Sequence, residues 1–289
     1  MARKAAHIFT LLRPKQWTKN LLLLAGLIFS ANLFQFPLLC RSLLALLSFC
    51  LLSSCVYIIN DIVDSEEDRR HPQKQHRPLA AGIISKKEAY IVIAILLPLA
   101  VGLAWWINTY FLLLAAAYFL LSLVYIMRLK YLVILDVFSI AFGFLLRALA
   151  GGAAIHVEIS PWLLVCTLFL ALFLALTKRR QESVNLDENL SMRRSVLEHY
   201  PLTYLDQLIS IVTAATILAY SFYTFTASQS PLFMLTIPFV IYGIFRYLYL
   251  VHKEMLGESP EEVLLSDTPL IVNILLWVTI SILILYSIS

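Results

Sequence analysis

The chain has 289 residues, of which 61% are hydrophobic and only 14% charged, with a formal net charge of +4. So little polar surface cannot cover a water-soluble globule of this size, which excludes that class and predicts an integral membrane protein. The four cysteines (Cys40, Cys50, Cys55 and Cys166) lie in or beside apolar runs without metal-ligand spacing, so no disulfide framework is implied.

In chain order, residues 1–19 carry Arg3, Lys4, Arg13, Lys15 and Lys19 beside Trp17. They read as a juxtamembrane basic segment, with no cleavage site after the apolar run that follows. Apolar runs close to spanning length predict helices at about 20–38, 41–60, 88–107, 109–127, 132–153, 161–177, 206–226, 230–250 and 269–287. The expected fold is all-α, a polytopic membrane bundle of about nine helices forming a single unit over 1–289. With a cytoplasmic N-terminus, segments 1–19, 61–87, 128–131, 178–205 and 251–268 face the cytoplasm. Nearly every Lys and Arg falls in or beside them, Arg41 and Arg147 excepted, which sets the orientation in the cell membrane. Most acidic residues share that side, so the chemistry is expected there.

Between the second and third helices lies NDIVDSEEDRRHPQKQHRPLAAG, Asn60 to Gly82. Asp61, Asp64 and Asp68 are spaced three and four apart and share one face of a helix that Pro72 should stop, with Asn60 beside Asp64. Like charges so placed repel unless a cation sits among them. Carboxylates with an amide oxygen suit Mg²⁺, which binds through one or two carboxylates and leaves positions for water and phosphate. Lys74 and Arg77, with His71 and His76, follow as anion donors. A solvated helix cap is the plainer reading; the regular acidic face against the membrane favours a metal–diphosphate site.

The pattern NDxxDxxxDxxHPxKxxRPxAxG resembles the first aspartate-rich motif of the UbiA superfamily of membrane prenyltransferases. Its fuller spelling is similar to the branch of decaprenyl-phosphate phosphoribosyltransferases. RPKQWTKN resembles the family's first helix, which brings Lys19 and Asn20 toward the site mouth. Arg128 and Lys130 obey the positive-inside rule, while the resemblance puts their loop at the site rim with Lys130 as a phosphate contact. In LDVFSIAFGFLLRALAGGAA, Asp136, Ile140, Gly143 and Arg147 share a helical face. Asp136 and Arg147 are either a buried ion pair or cavity-lining residues, and Gly143, Ala150 and Gly151 admit a neighbouring backbone or a ligand. LDVxxIAxGFxLRAxAG is again similar to the phosphoribosyltransferase branch.

Lys178 and Glu182, four apart, are spaced to pair, and the run KRRxE matches the branch and marks Arg179 with them. Other UbiA enzymes carry a second aspartate-rich motif here. This chain has no clean DxxxD, so Asp187, Glu188 and Asp206 stay open as acids and the number of metals stays open. Arg193, Arg194 and Tyr200 add donors for a sugar phosphate. Tyr242, Arg246, Tyr249 and Lys253 recur at helical spacing, as an aromatic belt with a snorkelling arginine or as a site edge. PEEVLLSDTPL, Pro260 to Leu270, is similar to the branch as well.

The resemblance implies transfer of the 5-phosphoribosyl group of phosphoribosyl pyrophosphate to a polyprenyl phosphate, toward lipid-linked pentose donors for cell-envelope glycans. It implies Mg²⁺ on Asn60, Asp61, Asp64 and Asp68, with Asp61, Asp64, Lys74, Arg77 and Lys178 catalytic. Substrate contacts fall to Lys19, Asn60, Asp68, Lys130, Asp136, Arg147, Arg179, Glu182, Arg193, Tyr200 and Arg246. Partners are the two substrates and membrane lipid; no nucleic acid is expected, and monomer and homo-oligomer both stay open. Alternatives are an aromatic prenyltransferase of quinone biosynthesis, with a second acidic motif and fewer cations, and an anion transporter, which has no use for the acid ladder.

Overall fold

The computed structural model describes residues 2–72, 74–186, 199–226, 231–253 and 260–287, and among them there are helices and turns but no strand. Helix α1 (Ala2–Leu11) precedes a 3₁₀ stretch, Pro14–Leu24, that runs into the short α2 (Ala25–Phe29). Then come α3 (Phe36–Val63), α4 (Ser65–Arg70), α5 (Lys86–Ile107), α6 (Thr109–Met127), α7 (Leu135–Ala154), α8 (Pro161–Leu186) and α9 (Leu202–Thr226). A 3₁₀ turn (Pro231–Thr236) continues into α10 (Ile237–Lys253), followed by α11 (Pro260–Ser266) and α12 (Thr268–Tyr286).

Among the described residues, eight helical segments are long and apolar enough to cross a membrane. The protein is a multi-pass membrane protein. The ninth expected helix, 20–38, is not one helix. Residues 14–29 run as 3₁₀ and then α, the chain turns at Ala31 (φ 58°), and α3 starts at Phe36 with Pro37 in its first turn. At about 2.0 Å per 3₁₀ residue and 1.5 Å per α residue, the 14–29 segment still reaches roughly 30 Å, the depth of a bilayer core. The apolar run hides the break because composition carries no record of it.

Neighbouring helices pack in chain order from α5 through α10 to α12, and α12 meets α2, which closes the ring onto α3. α3 and α7 sit innermost: 61% of their apolar windows is buried in the protein, against 17% for α5 and α12, which turn to lipid. Glycines set how closely the N-terminal segment approaches α7. A Cβ on Gly151 would lie 2.1 Å from the Leu23 carbonyl oxygen, and one on Gly26 would lie 3.1 Å from the Gly152 backbone nitrogen. Small residues thus admit a neighbouring backbone at this point.

Local chemistry explains the helix ends. Ser85 and Glu88 form a reciprocal capping box at the start of α5. Asn108 ends α5, accepts the Phe111 amide at 2.7 Å to start α6, and donates to the Ala153 carbonyl at 2.8 Å. Asp267 accepts the Leu270 amide at 2.9 Å to cap α12.

Candidate active site

The acidic face is assembled differently from a single continued helix. Asn60 and Asp61 occupy the last turn of α3, Asp64 stands at the joint, and Asp68 lies on α4. α3 therefore ends before Asp64, well ahead of Pro72. Hydrogen bonds bridge the joint, from the Asp64 amide to the Asn60 carbonyl and from the Asp68 amide to the Asp64 carbonyl, both 2.8 Å. The acids keep helical spacing across it, but Asp64 gains freedom to turn to a different partner.

All three carboxylates are buried, at 2% (Asp61), 5% (Asp64) and 5% (Asp68) exposure, and each has a basic partner. Arg77 donates to Asp68 at 2.5 Å and to Asp61 at 3.3 Å, so one guanidinium bridges two acids. Arg13 pairs with Asp61 and lies 5.3 Å over the Tyr57 ring. Lys130 donates to Asp64 at 2.5 Å, and Asn60 Nδ2 donates to the other oxygen of the same carboxylate at 3.0 Å. Burial alone would pull the Lys130 ammonium down, but its hydrogen bond and charge contact with Asp64 hold it above the ordinary lysine value. Arg69 fastens the returning loop through the Ala80 carbonyl at 3.2 Å.

Arg13 is the site residue that sequence reasoning assigned only to the orienting basic segment. It holds a left-handed conformation (φ 52°, ψ 61°) between α1 and the 3₁₀ stretch, uncommon for a residue with a side chain. Its ion pair with Asp61 compensates that strain. Arg13 sits before Pro14, which marks a bend; nothing in the spacing points to Asp61, 48 residues on.

The donor set is hard oxygen, from carboxylates and an amide, and fits Mg²⁺. Among the described residues no three Asp, Glu, His or Cys side chains close up as one metal-ligand group. An ion here would take one or two carboxylates and complete its shell with water and phosphate oxygens, the usual habit of Mg²⁺.

A second cluster joins α6, α7, α8 and the approach to α9. Arg179 donates to Asp136 at 2.7 Å and to the Tyr125 hydroxyl at 3.2 Å, and pairs with Glu182. The Tyr200 hydroxyl donates to Asp136 at 2.7 Å and accepts the Ile134 amide at 2.6 Å, holding Ile134 at φ 71° where α7 begins. Burial lifts the Tyr200 phenol well above its ordinary value, so it stays protonated as a donor. Lys178 lies 3.8 Å from Glu182.

Asp136 and Arg147, spaced as one helical face, are not an ion pair. Asp136 turns to Arg179 and Tyr200, whereas Arg147 donates to Asn20 Oδ1, the Gly143 carbonyl and the Tyr118 hydroxyl at 2.8, 2.9 and 2.8 Å. Residues four and three apart diverge when each meets a nearer partner from another helix.

Of the remaining expected residues, Lys19 donates to Gln16, and Lys74 lies in a short 3₁₀ turn after the acids. Arg246 forms a two-point ion pair with Asp267 at 3.1 and 2.7 Å, joining α10 to α12. Asp206 pairs with Arg180 at 2.6 Å. Arg193, Arg194, Asp187 and Glu188 lie outside the described residues.

Comparisons with known proteins agree with this architecture. A decaprenyl-phosphate phosphoribosyltransferase of Mycolicibacterium smegmatis is 33% identical, covering 92% of this chain and 88% of its own. Its counterpart from Corynebacterium glutamicum is 35% identical over 92% and 83%. The structure of a UbiA homolog from Archaeoglobus fulgidus bound to GPP and Mg²⁺ superposes with a TM-score of 0.72 over 96% of this chain and 98% of that one, at 22% identity, a likeness of fold. Residues 21–261 match the UbiA prenyltransferase family profile, so the chain belongs to the UbiA prenyltransferase family.

Proposed function

We propose that the chain transfers the 5-phosphoribosyl group of phosphoribosyl pyrophosphate to a polyprenyl phosphate, releasing diphosphate, on the cytoplasmic side of the cell membrane. The product would feed lipid-linked pentose donors for envelope glycans. One observation carries this reading: likeness at 33% and 35% identity, along nearly the whole chain, to two curated decaprenyl-phosphate phosphoribosyltransferases. The cytoplasmic assignment rests on the Lys and Arg asymmetry. The N-terminal segment shares the end of the bundle that holds the aspartates, since Arg13 pairs with Asp61 and Lys15 with Glu262 at 3.0 Å.

The reaction breaks the bond from C1 of the ribose to the diphosphate oxygen and forms one from C1 to an oxygen of the acceptor phosphate. That phosphate is already anionic near neutral pH, so no general base is required. Asp61 and Asp64, with Asn60 and Asp68 in support, would hold Mg²⁺, which when bound supplies positive charge against the leaving diphosphate. Arg13, Arg77 and Lys130 already stand among these carboxylates and would turn toward the diphosphate oxygens as it binds. Lys74 and Lys178 add cationic charge from the flanking turn and from α8. Such fixed charge is commonly the largest contribution to catalysis of this kind. Asp136, Arg179, Glu182 and Tyr200 would act by fixing α8 and the approach to α9 around the donor.

Purified protein in lipid nanodiscs, given labelled phosphoribosyl pyrophosphate, decaprenyl phosphate and Mg²⁺, should yield label in an organic-extractable lipid. Geranyl diphosphate with an aromatic acid should yield none. The reverse pattern would replace this reading with aromatic prenyl transfer.

A further inference from the structure

Three basic side chains are almost completely buried: Lys130 (3% exposed), Arg147 (5%) and Arg179 (1%). Lys130 has Asp64, and Arg179 has Asp136 and Glu182. Arg147 has no carboxylate partner among the described residues. It meets three neutral oxygens, of Asn20, Gly143 and Tyr118, and lies 4.4 Å over the Tyr118 ring and 5.4 Å over that of Phe144. A guanidinium has five N–H donors. Three are used, and the other two meet no acceptor among the described residues. Neutral dipoles and ring faces soften the cost of a charge in the bilayer interior but do not cancel it.

The surroundings add positive charge. Lys19 directly precedes Asn20, the residue whose side chain accepts from Arg147. The Lys19 amine donates to the Gln16 side-chain oxygen. A Cβ on Gly143 would lie 3.5 Å from Arg147 Nη1, so the glycine lets the guanidinium lie in ordinary contact against the α7 backbone.

Depth identifies the anion. Asn20 is fastened to Ser53 and Cys50 on α3, at 3.1 and 3.5 Å. Those residues stand eight and eleven positions before Asp61, or about 12–16 Å further along the helix at 1.5 Å per residue. That is about the span of a metal-bound diphosphate, a ribose carbon and an attacking phosphate in line. A water-soluble donor enters from the polar end and leaves its diphosphate among the aspartates. A lipid-borne phosphate keeps its chain in the hydrocarbon and enters laterally between helices, so its place in line is on the membrane side of the aspartates, where Arg147 lies. A phosphate monoester carries a charge of about −1.5 to −2 near neutral pH, which two cations match. We infer that Arg147, with Lys19, is the binding site for the phosphate group of the polyprenyl phosphate acceptor.

This assignment rests on the phosphoribosyl-transfer reading, and the test separates the two. Full-length protein in phosphatidylcholine nanodiscs, without donor, is titrated with decaprenyl phosphate, decaprenol and inorganic phosphate. The wild type should prefer the phosphorylated lipid over the alcohol by about tenfold or more, and Arg147→Gln and Lys19→Gln should each erase most of that preference. In the transfer assay, Arg147→Gln should raise the acceptor KM by about tenfold while the KM for phosphoribosyl pyrophosphate stays within about twofold. Loss confined to the donor KM would make Arg147 the 5-phosphate site and overturn the assignment. Unchanged KM values with an unchanged lipid preference would leave Arg147 a packing residue and overturn it equally. Should Arg147→Gln fail to fold, Arg147→Lys and Lys19→Gln carry the same readouts. A wild type that binds decaprenyl phosphate selectively yet transfers no phosphoribose would sink the transfer reading and leave the lipid-phosphate site standing.

Discussion

Asp61, Asp64 and Asp68 lie at 2–5% exposure within a few residues of one another, and they are tolerated because Arg13, Arg77 and Lys130 supply counter-charge. Those same cations make the site serviceable for an anionic substrate, since a diphosphate can replace a carboxylate as their partner. Asp61→Asn and Asp64→Asn should each cut turnover below about a tenth of wild type, a barrier increase of at least ~1.4 kcal/mol, with the protein still folded and inserted. Either variant retaining more than that in the phosphoribosyl-transfer assay removes its aspartate from the metal-binding role. Asp136 should behave differently. It is fully buried between Arg179 and Tyr200, so Asp136→Asn leaves part of a buried charge network uncompensated. Breaking a buried pair costs about 3–5 kcal/mol; because Glu182 still pairs with Arg179, a loss near the low end is expected in denaturant unfolding from detergent micelles. An Asp136→Asn protein as stable as wild type would show that the network adds nothing to the fold.

At the scale of elements, close backbone approach decides which substitutions the bundle accepts. Gly151→Ala would drive its Cβ to 2.1 Å from the Leu23 carbonyl, against backbone that cannot rotate away, whereas Gly102→Ala meets nothing within 4 Å. The first should sharply lower the yield of folded protein and the second should leave it unchanged; equal yields would mean the 14–24 segment does not lie where it is placed. The α10–α12 connection gives a pH signature. Hydrogen bonds from Arg246, opposed by desolvation and joined by the Leu270 amide, hold the Asp267 carboxyl below its ordinary 3.8. A depressed folded value means the ion pair contributes above about pH 4 and is lost as pH falls through the folded value. The stability gap between wild type and Asp267→Asn should therefore be constant near pH 6 and shrink below about pH 4. A gap independent of pH would show that ionisation of Asp267 does not carry the effect, since Asn keeps the helix cap.

Across the whole molecule, composition and apolar run length made the all-α membrane class legible, and the eight spanning helices fall where the runs predict. The acid spacing made the gathering of Asp61, Asp64 and Asp68 at one end of α3 legible as well, because helical spacing continues across the joint at Asp64. What escaped was long-range pairing. Arg13 finds Asp61 and Lys130 finds Asp64 across 48 and 66 residues, and no local pattern encodes a contact between segments that meet only in the folded bundle. Of the two readings left open for Asp136 and Arg147, the ion pair does not form, because each has a nearer partner from another segment. The break inside 20–38 escaped because apolar residues continue through it, and its close approach to Gly151 is again a long-range contact.

Coupled transfer at one site is tested most directly by stoichiometry. Phosphoribosyl pyrophosphate labelled in both the ribose and the β-phosphate is followed with wild-type protein and Mg²⁺, with and without decaprenyl phosphate. Coupled transfer predicts no diphosphate release without acceptor and, with it, one diphosphate for each phosphoribosyl lipid formed. Diphosphate released without lipid product, or lipid labelled in its diphosphate rather than its ribose, would contradict it.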